Sequence, residues 1–170
     1  MAGDGRGRCA ADRDRVTTTR RGTHEWTLWV VAISCALHAT EELLTGWQPW
    51  ARATLGIAVP TSVFVVANAA LVAAALSFAR VGWRRPTLSL VVPVATLANA
   101  LLFHIVPTLL QGRVSPGVYT AALLYVPFSS GALVGAARDG VPRRAIARAG
   151  VAGLAVALGV VAGARLLGDA

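Results

Sequence analysis

Five apolar segments, each near the ~20 residues needed to cross a bilayer, take up most of this chain: residues 26–47, 60–79, 87–110, 116–137 and 142–167. Of its 170 residues, 55% are hydrophobic and 14% are charged. A soluble domain of this size cannot hide that much apolar surface. The reading is therefore all-α: a polytopic membrane helix bundle with five transmembrane helices over residues 26–170. An Arg-rich, Gly-rich tail over residues 1–25 lacks apolar periodicity and reads as disordered. Pro60, Pro116 and Pro142 open the second, fourth and fifth segments, in keeping with proline's preference for a first helical turn. Pro93, Pro107 and Pro127 are internal, and a kink near Pro107 would bend the third helix close to His104.

Charge sets the expected orientation. All sixteen basic residues are arginine, and the net charge is +8. Six arginines lie in the tail, Arg80, Arg84 and Arg85 follow the second segment, and Arg138, Arg143, Arg144 and Arg148 follow the fourth. The other side holds Arg52, Arg113 and Arg165. This bias predicts a cytoplasmic N-terminus and an outside C-terminus, in a multi-pass protein of the plasma membrane. It also accounts for the positive charge without nucleic acid as a partner; the expected partner is the lipid bilayer. Cys9 and Cys35 form no disulfide framework. Ala32 to Cys35 makes a loose lipobox, but the apolar run continues beyond the cysteine, so no cleavage is expected. Gly131/Gly135 and Gly159/Gly163 are small-residue pairs that read as packing features. Trp26, Trp29, Trp47, Trp50 and Trp83 read as interface anchors, with His24 and Glu25 beside them.

Glu41 and Glu42 are the only acidic residues between Trp26 and Arg138, and with His38 they form an H-x-x-E-E run inside the first segment. A carboxylate in hydrocarbon costs several kcal/mol and usually faces a bundle interior at a functional site. On a helix, His38 and Glu42 lie one turn apart with Glu41 beside them. Counting residues by depth places Asn68, Asn99, His104, Tyr119, Thr120 and Tyr125 in the same slab, from midplane to outer half. Two imidazoles with carboxylates suit a divalent metal, Zn, Fe or Mn. The candidate ligands are His38, Glu41, Glu42 and His104, with Glu41 and Glu42 also candidate catalytic groups. Asn68, Asn99, Tyr119 and Tyr125 would orient ligands or bind substrate. For Asn68 and His104 the competing reading is a hydrogen bond that only packs helices.

The H-x-x-E-E run in the first span, Asn99 and His104 in a later one, and Arg-x-Ser-Pro-Gly-Val at 113–118 resemble the HXXEE family of small bacterial integral membrane proteins. The resemblance covers about residues 26–137. It implies that His38, Glu41 and Glu42 are the signature, accompanied by Asn99 and His104. It implies no established activity; a metal-dependent role is drawn from the motif.

The expected function is a metal-dependent membrane enzyme, hydrolase-like, acting on a lipid or other amphipathic substrate. One alternative is a proton-coupled transporter with Glu41 and Glu42 as titrating groups. The five unequal spans show no internal repeat, although a homodimer could supply the missing symmetry. The other alternative is a non-catalytic membrane accessory protein whose polar layer cements the bundle.

Overall fold

The computed structural model describes residues 22–168, and among these it forms six helices and no strand. They are α1 (Trp26–Thr45), α2 (Trp47–Leu55), α3 (Thr61–Arg84), α4 (Pro86–Gln111), α5 (Val118–Arg138) and α6 (Arg143–Gly168). All except α2 are long and apolar enough to cross a membrane. The tail up to residue 21 lies outside the described residues.

The first expected span ends earlier than its apolar run. Gly46 adopts a left-handed backbone (φ 78°), which glycine reaches without the steric penalty of a Cβ, and its N–H donates to the Glu42 carbonyl. The chain then restarts as α2, anchored by Trp47 stacked on Phe64 at 5.5 Å.

α1 packs along α3 and across α5, while α4 packs along α6 and across α5, so α1, α4 and α5 meet at the centre. Two cores join them. One is built from Leu28, Ala79, Leu90, Ala132, Ala136 and Ala149. The other holds Val31, Ala32, Cys35, Ala75, Val92, Ala100, Ala121 and Tyr125. So many alanines let the backbones approach closely, which is how helices gain contact where lipid removes the hydrophobic drive. A Cβ on Gly153 would lie 2.6 Å from Val94 Cβ, so α6 meets α4 there. Of the four glycines expected to pack, only Gly135 does so, against His24; Gly131, Gly159 and Gly163 meet nothing within 4 Å. Leu44, Leu110, Leu123 and Val151 are 70–81% exposed on the outside of the bundle, and such surface requires lipid.

A polar lock closes the N-terminal end of α1. The Asp139 carboxylate accepts the His24 backbone N–H and the Trp83 indole N–H, each at 2.8 Å, and the His24 Nδ1 at 2.8 Å. Glu25 accepts the Trp83 backbone N–H, also at 2.8 Å. Desolvation pushes the Asp139 carboxyl upward, but the hydrogen bonds from His24 and Trp83 outweigh it and hold it below its ordinary value. A carboxyl depressed in the folded state stabilises at every pH above its unfolded value, and that contribution fades as pH falls through the folded one. We therefore expect acid melting below about pH 4, the ordinary carboxylate range. Asp139→Asn should lower stability by ~1.5–3 kcal/mol near neutrality, the worth of charge-assisted hydrogen bonds, and flatten the acid limb in detergent melts. An unchanged acid limb would assign that melting to other groups.

Candidate metal centre

The site is assembled from α1, α4 and the turn that leads into α5. On α1, His38 and Glu42 share one face at i and i+4, about 18 and 24 Å along the axis from Trp26 at 1.5 Å per residue. Both side chains are buried, at 3% and 5% exposure. Glu41, one residue before Glu42, points elsewhere. Its carboxylate accepts the backbone N–H of Thr120 at 2.8 Å and of Tyr119 at 3.3 Å. These amides belong to the first turn of α5, where the helix has no internal acceptor for them and carries partial positive charge. Glu41 thus caps α5 from a neighbouring helix.

His104 arrives from α4, and it is fully buried. Over Ala100–Ile105 the backbone ladder widens into a π-turn. Pro107 follows closely; it cannot donate, and its ring crowds the carbonyl four residues back, so the regular ladder cannot pass through it. A second π-turn, Ala121–Ser129, contains Pro127 and presents Tyr125. Such turns recur at functional sites because they redirect side chains. Here they turn His104 and Tyr125 toward His38. The two imidazoles meet edge to face at 4.7 Å, and the Tyr125 ring lies 4.5 Å from His38.

Each ring has a hydroxyl beside its Nδ1. His38 Nδ1 lies 2.8 Å from Thr120 Oγ1, whose own hydroxyl donates to the Gly117 carbonyl at 3.3 Å. His104 Nδ1 lies 3.2 Å from Ser115 Oγ, whose hydroxyl donates to the Pro116 carbonyl at 3.3 Å. With each hydroxyl proton committed to a carbonyl, each oxygen accepts an N–H from its ring. In that arrangement a neutral imidazole carries its proton on Nδ1 and leaves its Nε2 lone pair free. Both Nε2 atoms are buried without a hydrogen-bond partner. They converge on one oxygen, Glu42 Oε1, at 3.6 Å from His38 and 3.4 Å from His104.

Three electron-rich atoms facing one another out of water repel unless a positive charge lies between them. One ligand atom from each of His38, Glu42 and His104 lies within 4.8 Å of the others, so the group could hold a metal ion. In tetrahedral coordination with ~2.0–2.1 Å arms, neighbouring ligand atoms sit ~3.3–3.4 Å apart, close to the two observed N···O separations. The donor set fits, as do these two separations, and all three ligand atoms lie within 4.8 Å of one another. Gly117 closes the cluster from the α4–α5 turn: a Cβ there would lie 2.8 Å from Glu42 Cγ, 2.9 Å from His38 Cε1 and 3.0 Å from His104 Cε1.

The other candidates separate. Tyr125 is buried against His38 and shares a core cluster with Cys35. The Tyr119 side chain is 62% exposed, and only its backbone amide reaches Glu41. The Asn68 amide donates to Phe64 O in its own helix, which is the packing reading. Among the described residues, Asn99 Oδ1 is buried without a hydrogen-bond partner. Ser115, Gly117 and Thr120 are the residues that sequence reasoning passed over as site members. Ser115 and Gly117 lie in the 113–118 run, and Thr120 in the polar slab, but hydroxyls and glycines are too common in membrane helices to stand out.

No curated protein and no solved structure matches the chain. Residues 29–132, which contain the whole cluster and its supporting hydroxyls, match the family described as "Protein of unknown function with HXXEE motif". The motif that names that family is the one whose outer residues meet at the cluster, and the chain belongs to the HXXEE family.

Proposed function

We propose that this chain is a divalent-metal-dependent membrane enzyme, hydrolase-like, acting on a lipid or other amphipathic substrate. The observation that carries the reading is the pair of buried Nε2 lone pairs converging on Glu42 Oε1. A proton shared with Glu42 would satisfy one ring and leave the other orphaned, whereas one cation engages all three atoms. This favours metal binding over a proton relay. His38, Glu42 and His104 would hold the ion; the borderline N/O donor set suits Zn, Fe or Mn. When bound, such an ion supplies Lewis acidity toward a carbonyl or phosphoryl oxygen. Thr120 and Ser115 keep the two rings in the ligating tautomer and orientation. Glu41 holds the start of α5, and with it Thr120, in register with His38. A substrate that reaches a site walled by membrane-crossing helices must itself partition into the bilayer.

The test is elemental analysis of detergent-purified protein from metal-replete cells, followed by mass spectrometry of lipid products in nanodiscs. About one divalent ion per chain, and lipid cleavage that disappears in His38→Ala, are the expected results. Metal at background level in well-folded wild-type protein would sink the reading.

A further inference from the structure

At the other end of α1 from the His/Glu cluster, α1 and α3 leave between their ends a cavity of about 720 Å³. Its walls include Trp26, Trp29, Trp83, Arg80, Arg84 and Glu25. Arg80 and Arg84 lie one helical turn apart, and both are exposed. The Arg80 guanidinium lies over the Trp29 ring at 5.6 Å, and Arg84 Nη2 donates to the Arg80 carbonyl at 3.3 Å. The acid in the wall, Glu25, is aimed at the turn after Val81: it accepts the Trp83 N–H and lies within 2.9 Å of where a Gly82 Cβ would be. Among the described residues neither arginine has a carboxylate partner. Two guanidiniums without a carboxylate partner among the described residues therefore share one cavity with three indoles at the ends of the long apolar helices.

The flank of this cavity is apolar and open. Trp26 and Trp29 are 55% and 39% exposed. Below Trp29 on the same face of α1, at successive four-residue steps, Ile33 and Leu37 are 58% and 51% exposed. A polar anion alone would leave this stripe uncovered. A molecule with a phosphate at one end and an acyl chain at the other covers both parts. Arginine forks match phosphate oxygens in pairs, tryptophan favours the headgroup level, and basic pockets between membrane helices take anionic headgroups. We propose that this cavity binds an anionic phospholipid, its phosphate on Arg80 and Arg84 and its acyl chain along Ile33 and Leu37. The proposal is independent of the metal reading.

The experiment uses the full chain in nanodiscs of phosphatidylcholine with phosphatidylglycerol, and native mass spectrometry counts the lipid retained on release. One phosphatidylglycerol should stay bound to wild type. Arg80→Gln/Arg84→Gln should weaken retention about thirtyfold, from the loss of two arginine contacts at a membrane surface. Arg143→Gln/Arg144→Gln, which removes the same charge outside the cavity, should retain it. If the first pair fails to fold, Arg84→Gln alone should show a loss of about fivefold. Equal retention in the cavity variant, or equal loss in the control pair, overturns the proposal. A titration with inorganic phosphate separates the two sources of the anion. Binding of phosphate as tight as that of phosphatidylglycerol would make this a free-phosphate site and overturn the lipid.

Discussion

If the cluster holds a divalent ion as proposed, changing His104 to alanine should lower the affinity for it by more than ~100-fold. Loss of a residue that merely orients a ligand already costs about 10–100-fold, and His104 would supply one of three ligand atoms. The residue is fully buried, so neither water nor a surface side chain can replace it without opening the core. Thr120→Val provides the graded comparison. It keeps the shape but removes the acceptor that holds His38 in its ligating tautomer, so it should fall within the 10–100-fold range. Competition with a chromophoric chelator reads both. Wild-type affinity in His104→Ala would show that the convergence of the two rings is packing alone.

Gly117→Ala should damage both the fold and the cluster. Gly117 has φ +89°, a region that costs other residues ~1–2 kcal/mol. The added methyl would also sit 2.8–3.0 Å from side-chain atoms of Glu42, His38 and His104. Those three are locked by burial and cannot swing aside, so an overpacking term of ~1–3 kcal/mol adds to the backbone term. The expected loss is ~2–5 kcal/mol, with metal retention falling alongside. Gly112→Ala isolates the backbone term: φ is +62° and nothing lies within 4 Å, so it should lose ~1–2 kcal/mol and keep its metal. Thermal melts in detergent, with and without added metal, give both numbers. Equal losses at the two glycines would show that the turn does not press on the cluster.

These expectations need pieces of different origin. That His38 and Glu42 share a face follows from helical spacing alone, and that they must be buried follows from the energy of polar groups in hydrocarbon. Glu41 shows where such reasoning stops. Adjacent to Glu42 and of the same residue type, it is indistinguishable in sequence, yet it lies 100° round the helix and meets the unsatisfied amides at the start of α5. Asn68 has the depth of His38 but lies on α3, and its amide finds a carbonyl in its own helix. Depth along the membrane normal can be counted from sequence; rotation about each helix axis cannot.

Length, hydropathy and the rarity of charge were enough to determine an all-helical membrane bundle and a His/Glu pair on the first span, since both rest on local periodicity and on the solvation energy of single groups. Which helices touch, how the π-turns rotate His104 and Tyr125 inward, and which hydroxyls orient each imidazole were decided by the packed structure alone. Those features depend on contacts between residues up to 82 positions apart, and no local preference encodes them.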